Sequence, residues 1–361
     1  MIIGFDARLM SVPGGLGRYC SELLRELLSQ NPHDFFVIIV KKIPNNFSDF
    51  KNIRWIEVDI HWYGFDEQTK LGAIMNAQSD VQLWHIPHWN VPITLKKPFI
   101  ITFHDFIFEQ FPTYGNSFSG YLTYKIKWIF WRILLSINFH RARKIITISN
   151  YVRDQIISRA PSTSKKLEVI YNGLTHLPPA IAPTFDIKKP FFLMVGNSYP
   201  HKNHLIILVL LKKYREQLSE HFYLLTHRDR FSEALQNKIA EAGLSDRIHI
   251  VFDAPDTTLS WMYENCEALI FPSLSEGFGI PPLEAFTYKK PVVAAKTSAL
   301  PEILGDTVFW FEPTSEDDLF TAILNSKKDS ETKKELRFAC SQKYSWATTA
   351  KSTRNLYQSV I

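Results

Sequence analysis

Two glutamates in a segment rich in glycine and proline have a spacing that suits a sugar joined to a phosphate. Glu276 lies in a loop after an apolar run, and Glu284 lies eight positions later in a predicted helix. A loop carboxylate can hold a sugar, and the backbone N–H groups around Phe278 and Gly279 can bind a phosphate. Carboxylates near a helix start also occur simply as partners of the helix dipole, so the isolated pattern leaves both interpretations open.

A second glycine-rich segment, residues 13–19, joins the first apolar run to a segment of helical periodicity. Gly15 and Gly17 would allow backbone N–H groups to approach an anion at the helix N-terminus. They could equally serve only a tight turn. A dinucleotide dehydrogenase is disfavoured, because Cys20 stands at the third glycine position of that motif and Lys41–Lys42 replace the expected acidic residue.

His104 and Lys202 follow apolar runs that have the character of buried strands. A neutral imidazole at a strand end can accept or relay a proton near neutral pH, and an ammonium can offset the charge of a departing phosphate. The alternatives are a structural histidine and a solvated loop lysine. His85 and His88 lack an apparent third metal ligand, so we expect core packing or acceptor contact for them.

The composition fits a folded protein with two domains. The chain has 361 residues, 45% of them hydrophobic, and 41 Lys and Arg against 36 Asp and Glu. The sequence predicts no leader and no membrane-spanning segment, and three separated cysteines fit a reducing cytoplasm. Residues 125–166 contain ten Lys or Arg and one acid, interleaved with apolar residues. Such a helix could rest on the inner face of an anionic plasma membrane or simply pack on the core, and nucleic-acid binding is discounted because no recognition module is present.

Apolar runs alternate with segments of helical periodicity along the chain. Thirteen runs predict strands at residues 2–5, 35–40, 55–58, 83–86, 99–103, 145–148, 167–170, 191–195, 222–225, 248–252, 268–271, 292–295 and 308–311. Continuous apolar runs are typical of buried parallel strands, so we expect two Rossmann-like, doubly wound α/β domains. A proline-rich passage separates them, which predicts domains at 1–178 and 191–344 with a linker at 179–190.

The sequence SEGFGIPPLEAF at residues 275–286 resembles that of the family 4 glycosyltransferases, which have the GT-B fold. Further motifs occur in the order found in that family, namely GGLGRY and the segments at residues 103–105, 171–173 and 195–203. The resemblance covers nearly the whole chain and points to bacterial mannosyltransferases of surface polysaccharide and lipopolysaccharide synthesis. It implies an acceptor-binding first domain, a nucleotide-sugar-binding second domain facing it across a cleft, and a C-terminal helix at 345–361 that returns to the first.

The resemblance also implies roles for individual residues. Glu276 corresponds to the carboxylate on the donor sugar, Glu284 to the one on the ribose, and Lys202 to the cation on the diphosphate. His104 corresponds to a residue near the reacting carbon, so we expect catalytic roles for His104, Lys202 and Glu276. The remaining donor-binding residues implied are Gly15, Gly17, Asn172, Gly196, Gly277, Phe278 and Gly279.

One position departs from the family. Many members have an arginine after the glycine of this strand, whereas Asn197 follows Gly196 here. His201 or Arg228 could supply the missing cation. The departure also admits a non-catalytic partner that binds a nucleotide sugar, although retention of the other charged site residues argues against it.

The implied reaction is transfer of a hexose, with retention, from a nucleotide sugar to a hydroxyl of a saccharide or lipid-linked saccharide. GDP-mannose is the first choice of donor, and UDP-sugars and dTDP-rhamnose are the alternatives. No nucleophilic carboxylate is assured, so the family's front-face mechanism is expected, with the leaving phosphate helping to take the acceptor proton. No Asp-x-Asp motif occurs, so we expect neither a metal nor another cofactor.

Overall fold

The computed structural model describes residues 1–12, 14–113 and 118–361. For residues 118–121 it describes the backbone alone. Pro13, the first residue of the predicted glycine segment, therefore lies outside the described residues. The chain divides into two compact units. Unit 1 comprises Met1–Gly173 and Tyr344–Ile361, and unit 2 comprises Leu174–Lys343. Each unit is built on one parallel sheet, which confirms the predicted fold class.

The sheet of unit 1 has seven strands in the order β3-β2-β1-β4-β5-β6-β7. They are β1 (Ile2–Asp6), β2 (Phe35–Val40), β3 (Ile53–Glu57), β4 (Leu83–Ile86), β5 (Phe99–Phe103), β6 (Ile145–Thr147) and β7 (Leu167–Val169). The order reverses between β1 and β4, because the chain first adds strands on one side of β1 and then on the other. Sheets of this type bind ligands at the carboxyl ends of the strands beside such a reversal.

The helices of unit 1 that precede β7 are α1 (Gly15–Gln30), α2 (Gly72–Ala77), α3 (Ile107–Gln110), α4 (Phe118–Arg141) and α5 (Asn150–Arg159). Helix α1 buries a stripe of side chains at helical spacing, including Tyr19, Leu23 and Leu27. A single π-helical turn, Glu67–Leu71, precedes α2. Such turns are rare in proteins and are frequent at functional sites.

Unit 2 has six strands in the order β10-β9-β8-β11-β12-β13. They are β8 (Phe191–Val195), β9 (His221–Thr226), β10 (Ile248–Phe252), β11 (Leu269–Phe271), β12 (Val292–Ala295) and β13 (Phe309–Phe311). The helices are α6 (Leu205–Tyr214), α7 (Arg230–Glu241), α8 (Asp256–Asn265), α9 (Ile280–Thr287), α10 (Leu300–Leu304), α11 (Glu316–Ser326) and α12 (Glu331–Ser341). The order reverses between β8 and β11, so the loops after these two strands flank the expected ligand position.

The last helix, α13 (Trp346–Val360), belongs to unit 1 and packs on α1. Its first turn lies so close to Gly173 that a Cβ atom there would come within 2.3 Å of the Trp346 backbone nitrogen. The Thr349 hydroxyl donates a hydrogen bond of 2.8 Å to the Tyr171 carbonyl. Only glycine therefore fits at the end of this loop.

The proline-rich passage packs with unit 2. The Ile181 N–H donates to the Thr257 carbonyl at 3.1 Å, and the Ser260 hydroxyl donates to the Pro178 carbonyl at 2.6 Å. The compact division consequently falls after Gly173, ahead of this passage.

Helix α4 has one packed face and one exposed face. Trp131, Leu134 and Phe139 are buried. The opposite face carries a row of exposed apolar residues that we call the apolar stripe, made of Leu122, Ile126, Ile129, Phe130, Ile133 and Ile137. Among the described residues, no helix is both long and apolar enough to cross a membrane.

Candidate functional site

Lys202 and Glu276 meet at the reversal point of the unit 2 sheet. Lys202 ends a short 3₁₀ turn after β8, and Glu276 lies in the loop after the neighbouring strand β11. The Lys202 ammonium donates to Glu276 Oε1 at 2.6 Å, and 12% of each side chain is exposed. The two loops are also joined through the backbone, because the Leu274 N–H donates to the His201 carbonyl at 2.7 Å. A cation and a carboxylate are thus fixed side by side where a ligand is expected.

Glycines bring the backbone close to this pair. Gly196, directly after β8, has φ of +132°, and a Cβ atom there would lie 3.7 Å from Lys202 Nζ. Gly279 has φ of +101° at the start of α9, and a Cβ atom there would come within 2.6 Å of Leu300. Both positions require glycine because of their backbone conformation. Because Pro281 and Pro282 in the first turn of α9 have no N–H, the backbone groups that can bind an anion here are those of Gly279 and Ile280.

Glu284 lies within α9 and is almost completely buried, with 3% of its surface exposed. The hydroxyl of Tyr263, on α8, lies 2.9 Å from Glu284 Oε2 and donates a hydrogen bond to it. The Tyr263 ring stacks on Tyr288 at 5.4 Å. These contacts fix the orientation of the carboxylate.

His201 and Arg228, the two candidates for the cation missing near Asn197, have different surroundings. Burial, with help from the Lys202 charge, lowers the pKa of His201 to about 4, so this imidazole is neutral at physiological pH. His201 is therefore excluded as a second cation in the ligand-free protein. The Arg228 guanidinium follows β9, lies over the Phe252 ring at 4.1 Å, pairs with Glu233 at 3.9 Å and is more than half exposed.

In unit 1, His104 follows β5 at the carboxyl edge of the sheet. Its Nε2 lies 3.0 Å from the Pro87 carbonyl oxygen. A carbonyl only accepts, so Nε2 carries the proton and Nδ1 carries the lone pair. Burial lowers the pKa of His104 to about 4 despite the Pro87 contact, and the imidazole is a neutral acceptor at physiological pH. Asp105 accepts from the Ile107 N–H at 2.9 Å and so orients its own loop.

The other predicted residues of unit 1 have different surroundings. Gly15 is exposed at the start of α1, with no atom near the position a Cβ would take. Gly17 is buried, and a Cβ there would come within 2.0 Å of the Val12 carbonyl oxygen, so close packing explains this glycine. Asn172 follows β7 and is buried, and its Oδ1 has no partner among the described residues. An unpaired buried acceptor fits a site for a ligand hydroxyl.

His85 and His88 are both buried. His85 Nδ1 lies 2.6 Å from the Tyr357 hydroxyl, and its Nε2 lies 2.9 Å from the Thr102 hydroxyl. His85 thus joins α13 to the sheet, which is the core role expected for it. His88 lies beside His104 at the carboxyl edge, where the His104 and Arg8 charges join burial in lowering the pKa of His88.

A buried charged cluster beside β1 escaped the sequence analysis. Arg8 is fully buried, and its guanidinium donates to both Asp6 oxygens, at 2.9 and 2.7 Å, and to Glu67 Oε1 at 2.9 Å. Burial lowers the pKa of Arg8, but the two carboxylates outweigh it and the net shift is upward. Glu67 also accepts from Asn90 Nδ2 and, at 2.7 Å, from the Tyr63 N–H. An arginine two positions after a strand-end aspartate was the only signal in the sequence.

This cluster supports a set of aromatic rings that we call the aromatic ledge, made of Trp62, Tyr63, His88 and Trp89. Tyr63 is 66% exposed, has φ of +61°, and stacks on Trp89 at 5.5 Å. The Arg8 guanidinium lies 4.1 Å from the centre of the Trp62 ring. A non-glycine residue at positive φ is strained, and such strain is found preferentially at binding sites. Aromatic faces can receive the C–H face of a sugar ring, since the face of the ring is electron-rich.

The comparisons with known proteins agree with these features. The family model described as "Glycosyl transferases group 1" matches residues 182–342, and the model "Glycosyltransferase Family 4" matches residues 13–176. The O-antigen chain mannosyltransferase RfbU of Salmonella typhimurium is 26% identical over 294 residues, 81% of this chain and 76% of the relative. The O-antigen chain mannosyltransferase B of Escherichia coli is 25% identical over 289 residues, 76% of this chain and 74% of the relative.

Solved structures share the fold over the whole chain. Sucrose-phosphate synthase from Thermosynechococcus elongatus superimposes with a TM-score of 0.75 at 17% identity, covering 99% of this chain and 98% of that one. Anabaena Alr3699/HepE in complex with UDP and glucose gives 0.72 at 17% identity, covering 99% and 100%. The two family models and the relatives together identify the chain as a member of the family 4, group 1 glycosyltransferases with the GT-B fold.

Proposed function

We propose that this glycosyltransferase transfers mannose from GDP-mannose, with retention, to a hydroxyl of a saccharide or lipid-linked saccharide in surface polysaccharide synthesis. The observation that carries the proposal is the fixed pair of Lys202 and Glu276 at the reversal point of the unit 2 sheet. The mannosyltransferase relatives support mannose as the sugar. Structural neighbours that bind UDP and glucose support a nucleotide sugar as the partner.

The unit 2 residues divide the work of donor binding. Lys202 and the N–H groups of Gly279 and Ile280 hold the diphosphate, Glu276 holds the sugar hydroxyls, and Glu284 holds the ribose. In the reaction the bond from the anomeric carbon to the phosphate oxygen breaks on the face where the acceptor oxygen attacks. The acceptor proton passes to the departing phosphate, and the Lys202 ammonium offsets the charge that develops there. Lys202 supplies the charge that a divalent metal supplies elsewhere, so the reaction should proceed in the presence of a chelator.

The choice of guanine rests on the edge of unit 2 beside β10. Asp253 follows this strand with φ of +52°, and its Oδ1 lies 2.8 Å from His227 Nδ1. Both side chains are more than half exposed. A carboxylate can accept two parallel N–H bonds, and guanine offers such a pair of donors whereas uracil offers a single N–H between two carbonyls.

The acceptor is proposed to bind unit 1. His104 offers a neutral acceptor nitrogen, and the aromatic ledge offers a stacking surface beside it. Asn172, which the resemblance assigns to the donor, offers in the same unit a buried oxygen that has no partner among the described residues. We also propose that α4 rests on an anionic membrane on the inner face of the plasma membrane, because the apolar stripe is bordered by Lys125, Lys127 and Arg132 and the described helix carries no acid.

The test is a panel of donors with hydrolysis and transfer measured separately. GDP-mannose should be hydrolysed slowly without acceptor, at a rate unchanged by EDTA, and GDP should raise the melting temperature more than UDP or dTDP. A larger shift with UDP or dTDP would overturn the choice of mannose and GDP. A covalent glycosyl-enzyme trapped by mass spectrometry would overturn the front-face mechanism.

A further inference from the structure

An open pocket of about 500 Å³ lies on unit 1 at the amino ends of the strands, the edge opposite to His104. The segments that line it precede β5, follow α4 and precede β7. Its lining residues are Lys96, Lys97, Pro98, Phe99, His140, Arg141, Ala142, Arg143 and Lys166. The glycosyltransferase reaction does not use this edge, because ligands of such sheets bind at the carboxyl ends.

The pocket is strongly and uniformly cationic. Its lining contains five Lys and Arg and one His but no Asp or Glu. In the part of the chain that the structure describes, none of these cations forms an ion pair with a carboxylate. Asp80 feels the charge of one lining residue, since its pKa is lowered chiefly by Arg54 and more weakly by Lys97. Asp80 already binds Arg54 at 2.8 Å, so it is not an ion-pair partner of the pocket.

Three of the cations are held rigidly by backbone carbonyls. Arg141 donates to the carbonyls of Leu95 and Pro92. Lys97 donates to two carbonyls at 3.1 Å, and Lys166 donates to the His140 carbonyl at 2.5 Å. Burial lowers the pKa of Arg141, as expected for a cation without a carboxylate partner.

The other two cations of the pocket, Lys96 and Arg143, do not bind backbone carbonyls of the described residues. The side chains of Lys96 and Arg143 are exposed and make no hydrogen bond or ion pair with the described residues. A hydrogen bond to the C-terminal turn of α4 accounts for Lys166, and hydrogen bonds to the segment before β5 account for Arg141, but neither use accounts for Lys96 or Arg143. A fixed cationic wall with two free cations at its mouth is suited to a phosphate group.

The apolar stripe of α4 runs directly to this pocket. His140 lies three residues after Ile137 and seven after Ile133, so it continues the same helix face. His140 also lines the pocket. An apolar helix face that ends in a phosphate-sized cationic pocket matches the layering of a bilayer surface, where acyl chains lie beside phosphate headgroups.

We propose that this pocket binds the phosphate headgroup of an anionic phospholipid while the apolar stripe lies in the interface of the bilayer. The inference rests on the membrane contact proposed above and adds a defined headgroup site to it. The lipid is a membrane component here and not the acceptor, since the pocket and His104 lie at opposite edges of one sheet.

The test compares two double variants with the same change of charge. Lys96→Glu/Arg143→Glu reverses the two free cations at the pocket. Lys212→Glu/Lys238→Glu reverses two exposed lysines of unit 2 that also lack a partner among the described residues. Binding of the full chain is measured by co-sedimentation with phosphatidylcholine vesicles, with and without phosphatidylglycerol, and hydrolysis of GDP-mannose is measured in parallel.

The pocket variant should lose roughly 10-fold or more of its affinity for phosphatidylglycerol vesicles, whereas the unit 2 variant should stay within about 2-fold of the unchanged protein. Both variants should hydrolyse GDP-mannose at the rate of the protein without substitutions. If that protein itself does not hydrolyse GDP-mannose, the result counts against the proposed function and not against the headgroup site. Equal vesicle affinities for the two variants would overturn the headgroup site.

Protection from thermal unfolding by inorganic pyrophosphate, abolished only in the pocket variant and without a vesicle difference, would assign the pocket to a soluble phosphate instead. Concentration-dependent dimerisation lost only in the pocket variant, without a vesicle difference, would assign it to a second copy of the chain.

Discussion

The ammonium of Lys202 and the carboxylate of Glu276 form an ion pair in the ligand-free protein, with 2.6 Å between Nζ and Oε1. A diphosphate that approaches Lys202 must therefore compete with a carboxylate already in place. Sugar hydroxyls that bind Glu276 offset that competition, because they give the carboxylate other donors. With the donor-binding roles proposed for Lys202 and Glu276, the pair would link diphosphate binding to the presence of the sugar.

Replacing Glu276 with glutamine should separate these two effects. The Glu276→Gln variant keeps the shape of the side chain but frees the Lys202 ammonium, so GDP alone should bind about 3- to 10-fold more tightly. Mannosyl transfer should fall by about 10²- to 10³-fold, because the sugar is no longer held by a charged acceptor. Calorimetry with GDP and initial rates with GDP-mannose measure the two changes. Unchanged GDP affinity would show that the ion pair does not oppose diphosphate binding.

The Tyr263 hydroxyl should affect donor binding more than turnover. Tyr263→Phe removes the 2.9 Å hydrogen bond that orients Glu284, and the KM for donor should rise about 5- to 10-fold with kcat nearly unchanged. Tyr223→Phe is a matched control, since that hydroxyl only accepts from the Lys188 N–H in the same unit. A fall in kcat with constant KM would place Tyr263 in the chemical step instead.

Much of this arrangement was predictable because it depends on local sequence. Continuous apolar runs specified buried parallel strands, and the glycine before α9 was required by its positive φ. The charged cluster of Arg8, Glu67 and Asn90 was not predictable, since its members lie 59 and 23 positions apart and meet only through the fold. The same holds for Tyr263 and Glu284, which come from two different helices. The apolar stripe was missed for another reason, because a helix pattern does not say which apolar residues the sheet will cover.

Acidification should destabilise unit 1 through its buried histidines. Burial lowers the pKa of His85 and His88 to about 3 and that of His104 to about 4. Between these values and the ordinary value of about 6.5, the unfolded chain binds more protons than the folded protein. The stabilisation is thus complete above about pH 6.5 and is lost as the pH falls towards about 3. Thermal unfolding across this range should show a melting temperature that falls steadily with pH.

The variant His85→Gln measures how much of the fall in melting temperature with pH comes from His85. It should melt at a lower temperature at neutral pH, because Tyr357 and Thr102 lose their imidazole partner, yet it should lose less on further acidification. His33→Gln changes an exposed histidine and should leave the slope as it is. Identical slopes in all three proteins would show that His85 does not contribute to the acid sensitivity.

The apolar stripe should contribute to membrane binding independently of charge. Ile126→Ser/Ile133→Ser removes two residues that are 61% and 52% exposed, so folding should be nearly unaffected while vesicle binding falls by about 10-fold or more. Ile181→Ser/Leu336→Ser, which removes exposed apolar residues of unit 2, is the matched control and should bind vesicles normally. The charge variant Lys125→Glu/Lys127→Glu/Arg132→Glu should weaken binding only when the vesicles carry anionic lipid and the salt concentration is low. Both α4 variants should retain donor hydrolysis but lose activity on a lipid-linked acceptor, and equal vesicle binding by the serine variant and its control would reduce the stripe to ordinary exposed surface.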